Sequence, residues 1–351
     1  GYSVTFLSSD FAPEEIIIAD TVNGKAVPPQ LAGDMPGNLW VKDISLIEAD
    51  LGDTAETEEF TLKVDIAGIE KEYSIEELEA SPWYVEGTGS FTTSAGTTYT
   101  HQYGGIQFAE FVNSFTQLEP DTTVTMVATD GYEMTYSGEQ ILDTSDSQWI
   151  LAFKIDGEYM EFDPGYIRTV KIGPGNPNIE GHLSVKMIET IKASGEKYED
   201  FTLSMKGKMD WDLDRQTIQS GVSCHKTTVT YYNRKADAEE EYTGVPLHLL
   251  LAYAEDPKYA PQRQDKSIIS YDAEAAEAGY NIKISASDGF SITLDSKEVT
   301  GNDDVIIAMY KNGGPLPERE RPLIIVWDKD AEVVPGGIKP VRNITEIELL
   351  F

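Results

Sequence analysis

Cysteine is almost missing from this chain: Cys224 is the only one in 351 residues. A single thiol excludes any intrachain disulfide framework and any CxxC metal or haem motif. Histidine is scarce as well. His101, His182, His225 and His248 fall at none of the HxH or HExxH spacings that bind metal. His248, in "GVPLHLLL", lies one residue off an apolar face and is expected on a helix surface. No GxSxG elbow supports a serine triad. No apolar run approaches the ~18 residues of a membrane-spanning helix. Positive charge is also short: 27 Lys and Arg face 61 Asp and Glu, a formal net charge of −34. Such a surface repels nucleic acid and anionic membranes, and no Lys/Arg run overrides it. Solubility alone accounts for much of that charge. Cysteine depletion beside plentiful Thr, Tyr, Asp and Gly fits an exported, extracytoplasmic protein of a prokaryote. An intracellular protein with one buried thiol is the other reading.

What is present is a repeat. "GYSVTF" from Gly1, "DGYEMTY" from Asp130 and "DGFSITL" from Asp288 each set a glycine and an aromatic before alternating residues, as a hairpin turn leading into a strand does. Three apolar runs follow, "IIADTVNG", "LAFKIDG" and "IIAMYKNG". In each, an alanine (Ala19, Ala152, Ala308) precedes the turn glycine (Gly24, Gly157, Gly313) by five residues. Each copy then closes on a basic residue with isoleucines two and five positions later: Lys42 with Ile44 and Ile47, Lys186 with Ile188 and Ile191, Arg342 with Ile344 and Ile347. A front half is present twice. "HQYGGIQFAEFV" (101–112) aligns without a gap on "EEYTGVPLHLLL" (240–251), placing a glycine turn before a short helix. Phe108, Phe111 and Val112, and likewise Leu247, Leu250 and Leu251, share one helical face. Ser74 and Glu77 have capping-box spacing and predict a helix start. The expected organisation is a half unit at 1–52, then whole units at 56–195 and 199–351. Residues 1–50 are expected to pair as strands. They would either dock on the next unit or complete a unit with an upstream half or another chain.

The order of these elements, best seen in "TGVPLHLLLAYAED", "ASDGFSITL", "IIAMYKNGGPLPERERPLIIV" and "VRNITEIEL", resembles the sulfite oxidase-like molybdopterin-binding domain family. The resemblance implies an α+β fold of tandem, diverged modules, with mixed β-sheets and few short helices. It also implies a molybdopterin cofactor, a cysteine thiolate on molybdenum, and basic residues near the pterin. The matching strand ends are "TTVTYYNR" and "GSFTTSAG", and neither has a cysteine. Thr93 and Tyr232 each stand 12 residues before their glycine, where the ligand would sit. Neither supplies the thiolate a soft metal–dithiolene centre needs.

The candidate cofactor-binding residues are therefore Lys186, Arg342 and Cys224. Cys224, in "SGVSCHKT", reads as a small residue at a strand start, and a register shift would be needed to bring it to a metal. Lys186 and Arg342, like Lys42, also read as basic residues on a strand's exposed face. "DWDLD" and the equivalent loops "DTSDS" and "GNDD" carry carboxylates but lack an EF-hand's glycine and distal glutamate. The expectation is a binding or scaffolding protein with no catalytic residue, no metal and no cofactor. The alternatives are a molybdopterin-dependent oxidoreductase using Cys224, and an accessory subunit of a redox complex.

Overall fold

Strict alternation makes the strand Thr61–Ile66: Leu62, Val64 and Ile66 are buried, while Lys63 and Asp65 face solvent. The structure, a computed structural model, describes residues 16–22, 25–33, 60–93, 96–144, 146–160, 165–255, 273–332 and 339–351. Of the first two segments it gives an antiparallel pair, Ile16–Val22 with Lys25–Gly33. Gly1, Lys42 and the Ile44/Ile47 pair lie outside the described residues, as does any docking of the half unit.

The rest is α+β, with mixed sheets and short helices. One five-stranded sheet runs in the order Ile69–Ser74, Thr61–Ile66, Ile188–Lys197, Thr122–Ala128, Glu133–Ser137. Another runs Trp211–Asp214, Thr202–Lys206, Ile344–Leu350, Asn281–Ala286, Ser291–Asp295. In both, the middle strand is parallel to one neighbour and antiparallel to the other. Each sheet packs through an apolar core on a second one. The first of these pairs Tyr84–Thr92, Thr98–Gln107 and Gln148–Ile155. Its counterpart pairs Thr227–Asn233, Ala238–Pro246 and Val305–Lys311. Gly131 and Gly289 occupy the same place in this order, in the turn before the last strand of each five-stranded sheet.

The repeat extends to backbone detail. Gly105 and Gly244 are not in turns, as their spacing suggests, but at matching bulges inside strands. A Cβ on either would lie 2.1 Å from a backbone oxygen, of Leu151 and of Ile307 respectively, so close approach of the next strand fixes both as glycine. Met187 and Asn343, each following its basic residue, share a left-handed φ of 57° and 54°. Ile188, Ile191, Ile344 and Ile347 are fully buried beyond that kink. Helices Phe108–Asn113 and Leu247–Glu255 bury the expected faces. His248 is a correction: it is buried, and its Nε2 lies 2.8 Å from Asp303 Oδ1. A carboxylate partner is what permits a polar ring in that wall.

Ser74 caps helix Ile75–Glu79 in a complete capping box. Its counterpart, capped by Asp214, is the longer helix Arg215–Cys224. This helix lies along the edge strand Glu133–Ser137. Gln216 Nε2 donates to Thr135 O at 2.8 Å, and Thr135 N donates to Gln219 Oε1 at 3.1 Å. Ser223 Oγ both accepts from Glu133 N and donates to Glu133 O. Side chains on one helical face thus satisfy a strand edge as another strand would. The equivalent edge, Ser291–Asp295, has no hydrogen-bonded neighbour on its outer side among the described residues, and Phe290 beside it is 48% exposed.

Candidate functional site

The helix that covers this edge forms part of one wall of a cleft of about 960 Å³. Helix Arg215–Cys224 contributes Ser220 and Cys224. The hairpin of Tyr84–Thr92 and Thr98–Gln107 contributes Phe91, Thr92, Tyr99 and His101, with Thr93 just beyond it. The segment 180–186 contributes Glu180, His182 and Lys186, and the start of strand Arg168–Ile172 contributes Arg168. No one of these segments encodes the cleft, since each supplies a few residues for reasons of its own strand or helix.

Arg168 is only 7% exposed, and its guanidinium lies 4.4 Å from the centroid of Phe91. Stacking on an aromatic face lets a cation enter a partly desolvated wall. Phe91 also stacks with Tyr99 at 5.3 Å. At the helix wall, Tyr132 OH lies 3.0 Å from Ser220 Oγ and 3.1 Å from His182 O, tying three segments together. Burial lowers the pKa of His182, with the nearby Glu180 carboxylate opposing it at 3.3 Å. His101 Nδ1 meets Asp156 Oδ2 at 2.9 Å, and Asp156 sits in the tight turn with Gly157.

Of the three candidate residues, Lys186 and Cys224 come together in this cleft, along with Thr93. Cys224 does not start a strand. It is the last residue of helix Arg215–Cys224, a helix the polar run "RQTIQSGVSC" concealed. It reaches the cleft rim, exposed yet crowded by surrounding protein. That crowding, with the charge of Asp130, pushes its thiol pKa up to about 11. A helix C-terminus is also the end that disfavours a thiolate. The cleft therefore offers molybdenum a neutral hydroxyl, Thr93, at the place the family resemblance indicates. Its one sulfur is a protonated thiol on another wall. This donor set does not fit a metal–dithiolene centre.

Arg342 goes elsewhere. Its Nε lies 3.7 Å from Glu320 Oε1, in the counterpart of the cleft. Glu320 is fully buried there, taking Tyr242 OH at 3.0 Å and Lys311 Nζ at 3.4 Å on Oε2. Tyr232 is exposed on its hairpin and bonded to Asp237. "DWDLD" forms an edge strand whose last carboxylate caps a helix, and no cluster of metal-ligating groups occurs among the described residues. Sequence reasoning missed Arg168 altogether. Its only signal was one of two basic residues, with Lys171, in the short strand of "IRTVKI".

No family model matches the chain, and no curated protein matches it. Among solved structures it is similar to the sulfane dehydrogenase SoxCD from Paracoccus pantotrophus, at 13% identity and a TM-score of 0.37, over 90% of this chain and 76% of that one. That likeness is too distant to carry an argument about activity.

Proposed function

We propose that the chain is a binding protein built of diverged modules of the sulfite oxidase-like kind, at 56–195 and 199–351 with a half module before them. Its ligand is a small molecule held in the cleft between Phe91, Arg168 and the Cys224 helix. One observation carries this reading: a cleft of about 960 Å³ whose wall sets the rings of Phe91, Tyr99 and Tyr132 beside Arg168 and Lys186. Concave sites that combine apolar walls with a few convergent polar groups are where small ligands bind. An extracytoplasmic setting, motivated by the lone cysteine, and a partner chain for the half module belong to the same proposal. A redox role has one observation in its favour, the meeting of Cys224, Thr93 and Lys186 around one cleft.

Metal analysis separates the two. Full-length protein made in a host that synthesises molybdenum cofactor is expected to carry molybdenum far below one per chain. Stoichiometric molybdenum, lost in Cys224→Ser, would replace the binding reading with the oxidoreductase.

A further inference from the structure

Two hairpins of the same build meet different surroundings. "ATDGYEMTYS" (128–137) and "ASDGFSITLD" (286–295) align without a gap, so Tyr132 corresponds to Phe290, Glu133 to Ser291 and Thr135 to Thr293. In both, the amide of the alanine donates to the carbonyl of the aromatic residue. Pairing then continues in one register, Val127 with Glu133 and Ser285 with Ser291. The same backbone groups therefore point away from the sheet: the N–H and C=O of Glu133 and Thr135, and those of Ser291 and Thr293.

In the first half, helix Arg215–Cys224 takes all four. Ser223 serves both groups of Glu133, Gln219 accepts from Thr135 N, and Gln216 donates to Thr135 O. Gln219 Nε2 also donates to Thr135 Oγ1 at 2.9 Å, and Thr135 is left only 4% exposed. In the second half Ser291 and Thr293 are exposed, and their four outward groups find no partner among the described residues. The features that Gln216, Gln219 and Ser223 bind, backbone groups and one threonine hydroxyl, all recur at this second edge. Only the place of Ser220 differs. Ser220 Oγ meets Tyr132 OH, whereas Phe290 offers a bare ring, 48% exposed, that an apolar side chain would cover.

We infer that the edge Ser291–Asp295 docks a helix of a partner protein. That helix carries Gln-x-x-Gln, an apolar residue directly after the second glutamine, and a serine three positions further on. A second copy of this chain does not supply it. Among the described helices only Arg215–Cys224 has two glutamines three apart, and it is already engaged. Helix Ile75–Glu79, counted from its cap, has Glu76 and Glu79 at those places, and Glu79 is bonded to Lys154 and Tyr159. Two chains of net charge −34 also repel each other.

The test is amide hydrogen exchange of the full chain, read at single residues by NMR, with a synthetic peptide of residues 211–226 as probe. The peptide carries Ser220→Leu and Cys224→Ser. A covalent bridge between positions 217 and 221, off the strand-facing side, makes it helical before it binds. In the free chain the Thr293 amide is expected to exchange at least about a hundredfold faster than that of Thr135. Saturating peptide should slow it by about tenfold or more and leave Thr135 unchanged. Gln216→Ala with Gln219→Ala in the peptide should abolish the effect. Restoring Ser220 should weaken binding about threefold or more, and Phe290→Tyr in the chain should reverse that preference. No slowing at about 1 mM peptide, or slowing that survives loss of both glutamines, would overturn the docking site. Slowing that grows with the chain's own concentration, without peptide, would overturn the partner in favour of a second copy. Equal slowing by an extended peptide of residues 289–296 would overturn the helix in favour of a strand. A Thr293 amide as slow as Thr135 in the free chain would show the edge to be covered already, and would end the proposal.

Discussion

Two tyrosines at matching positions carry opposite energetic burdens. Tyr242 OH donates to the buried Glu320, within a cluster that also holds Lys311 and Glu240 3.0 Å apart. Tyr103 OH is equally buried and finds no acceptor among the described residues. The same substitution should therefore have opposite consequences. Tyr242→Phe strips a donor from a buried carboxylate and is expected to cost about 1–3 kcal/mol. Tyr103→Phe removes an unsatisfied hydroxyl and should leave stability unchanged or raise it by up to ~1 kcal/mol. Urea unfolding of the two variants measures both, and an equal loss in each would contradict the account. Neither environment was legible in "HQYGG" or "EEYTG": Glu240 within the second stretch accepts from Tyr242 at 3.2 Å, but the buried acceptor Glu320 is 78 residues away in the chain.

Among the elements, helix Arg215–Cys224 matters most, because it joins the two halves through polar groups. Gln219 accepts from Thr135 N and donates to Thr135 Oγ1 and to Tyr310 OH, so one side chain touches strands of both halves. Gln219→Ala leaves a buried backbone N–H unpaired and is expected to cost about 2–4 kcal/mol. Faster hydrogen exchange at the Thr135 amide, with little change at Thr190 in the middle of the same sheet, would check that the damage is local. This helix also shows why sequence reading stopped where it did. Helix Leu247–Glu255 announces itself by apolar spacing, and Ile75–Glu79 by its capping box. Arg215–Cys224 buries Gln216, Gln219 and Ser220, so hydrophobic periodicity misses it. The paired glycines, alanines and isoleucines of the repeat were legible because backbone approach and core burial constrain them one residue at a time. The cleft was not, since Phe91, Arg168, Lys186 and Cys224 come from separate segments and only the folded chain brings them together.

At the scale of the whole molecule, charge dominates. A net −34 spread over 351 residues repels itself in the compact state. Raising NaCl from about 20 mM to about 500 mM shortens the screening length several-fold and is expected to raise the melting temperature by several degrees. Calorimetry at the two concentrations checks this, and a fall in melting temperature would show that attractive ion pairs outweigh the net repulsion.

The edge at Ser291–Asp295, unpaired on its outer side among the described residues, gives that charge a second meaning. An open strand is a template: its free amides and carbonyls can pair with any other extended chain, including the same edge of another copy. Proteins ordinarily guard such edges with a lysine, a proline or a bulge, and "SITLD" contains only the terminal Asp295. The guard is therefore collective, a repulsion between whole molecules in place of a local obstacle. Colloidal stability here is borrowed from the solvent, and the salt that steadies each fold also lets neighbouring edges meet.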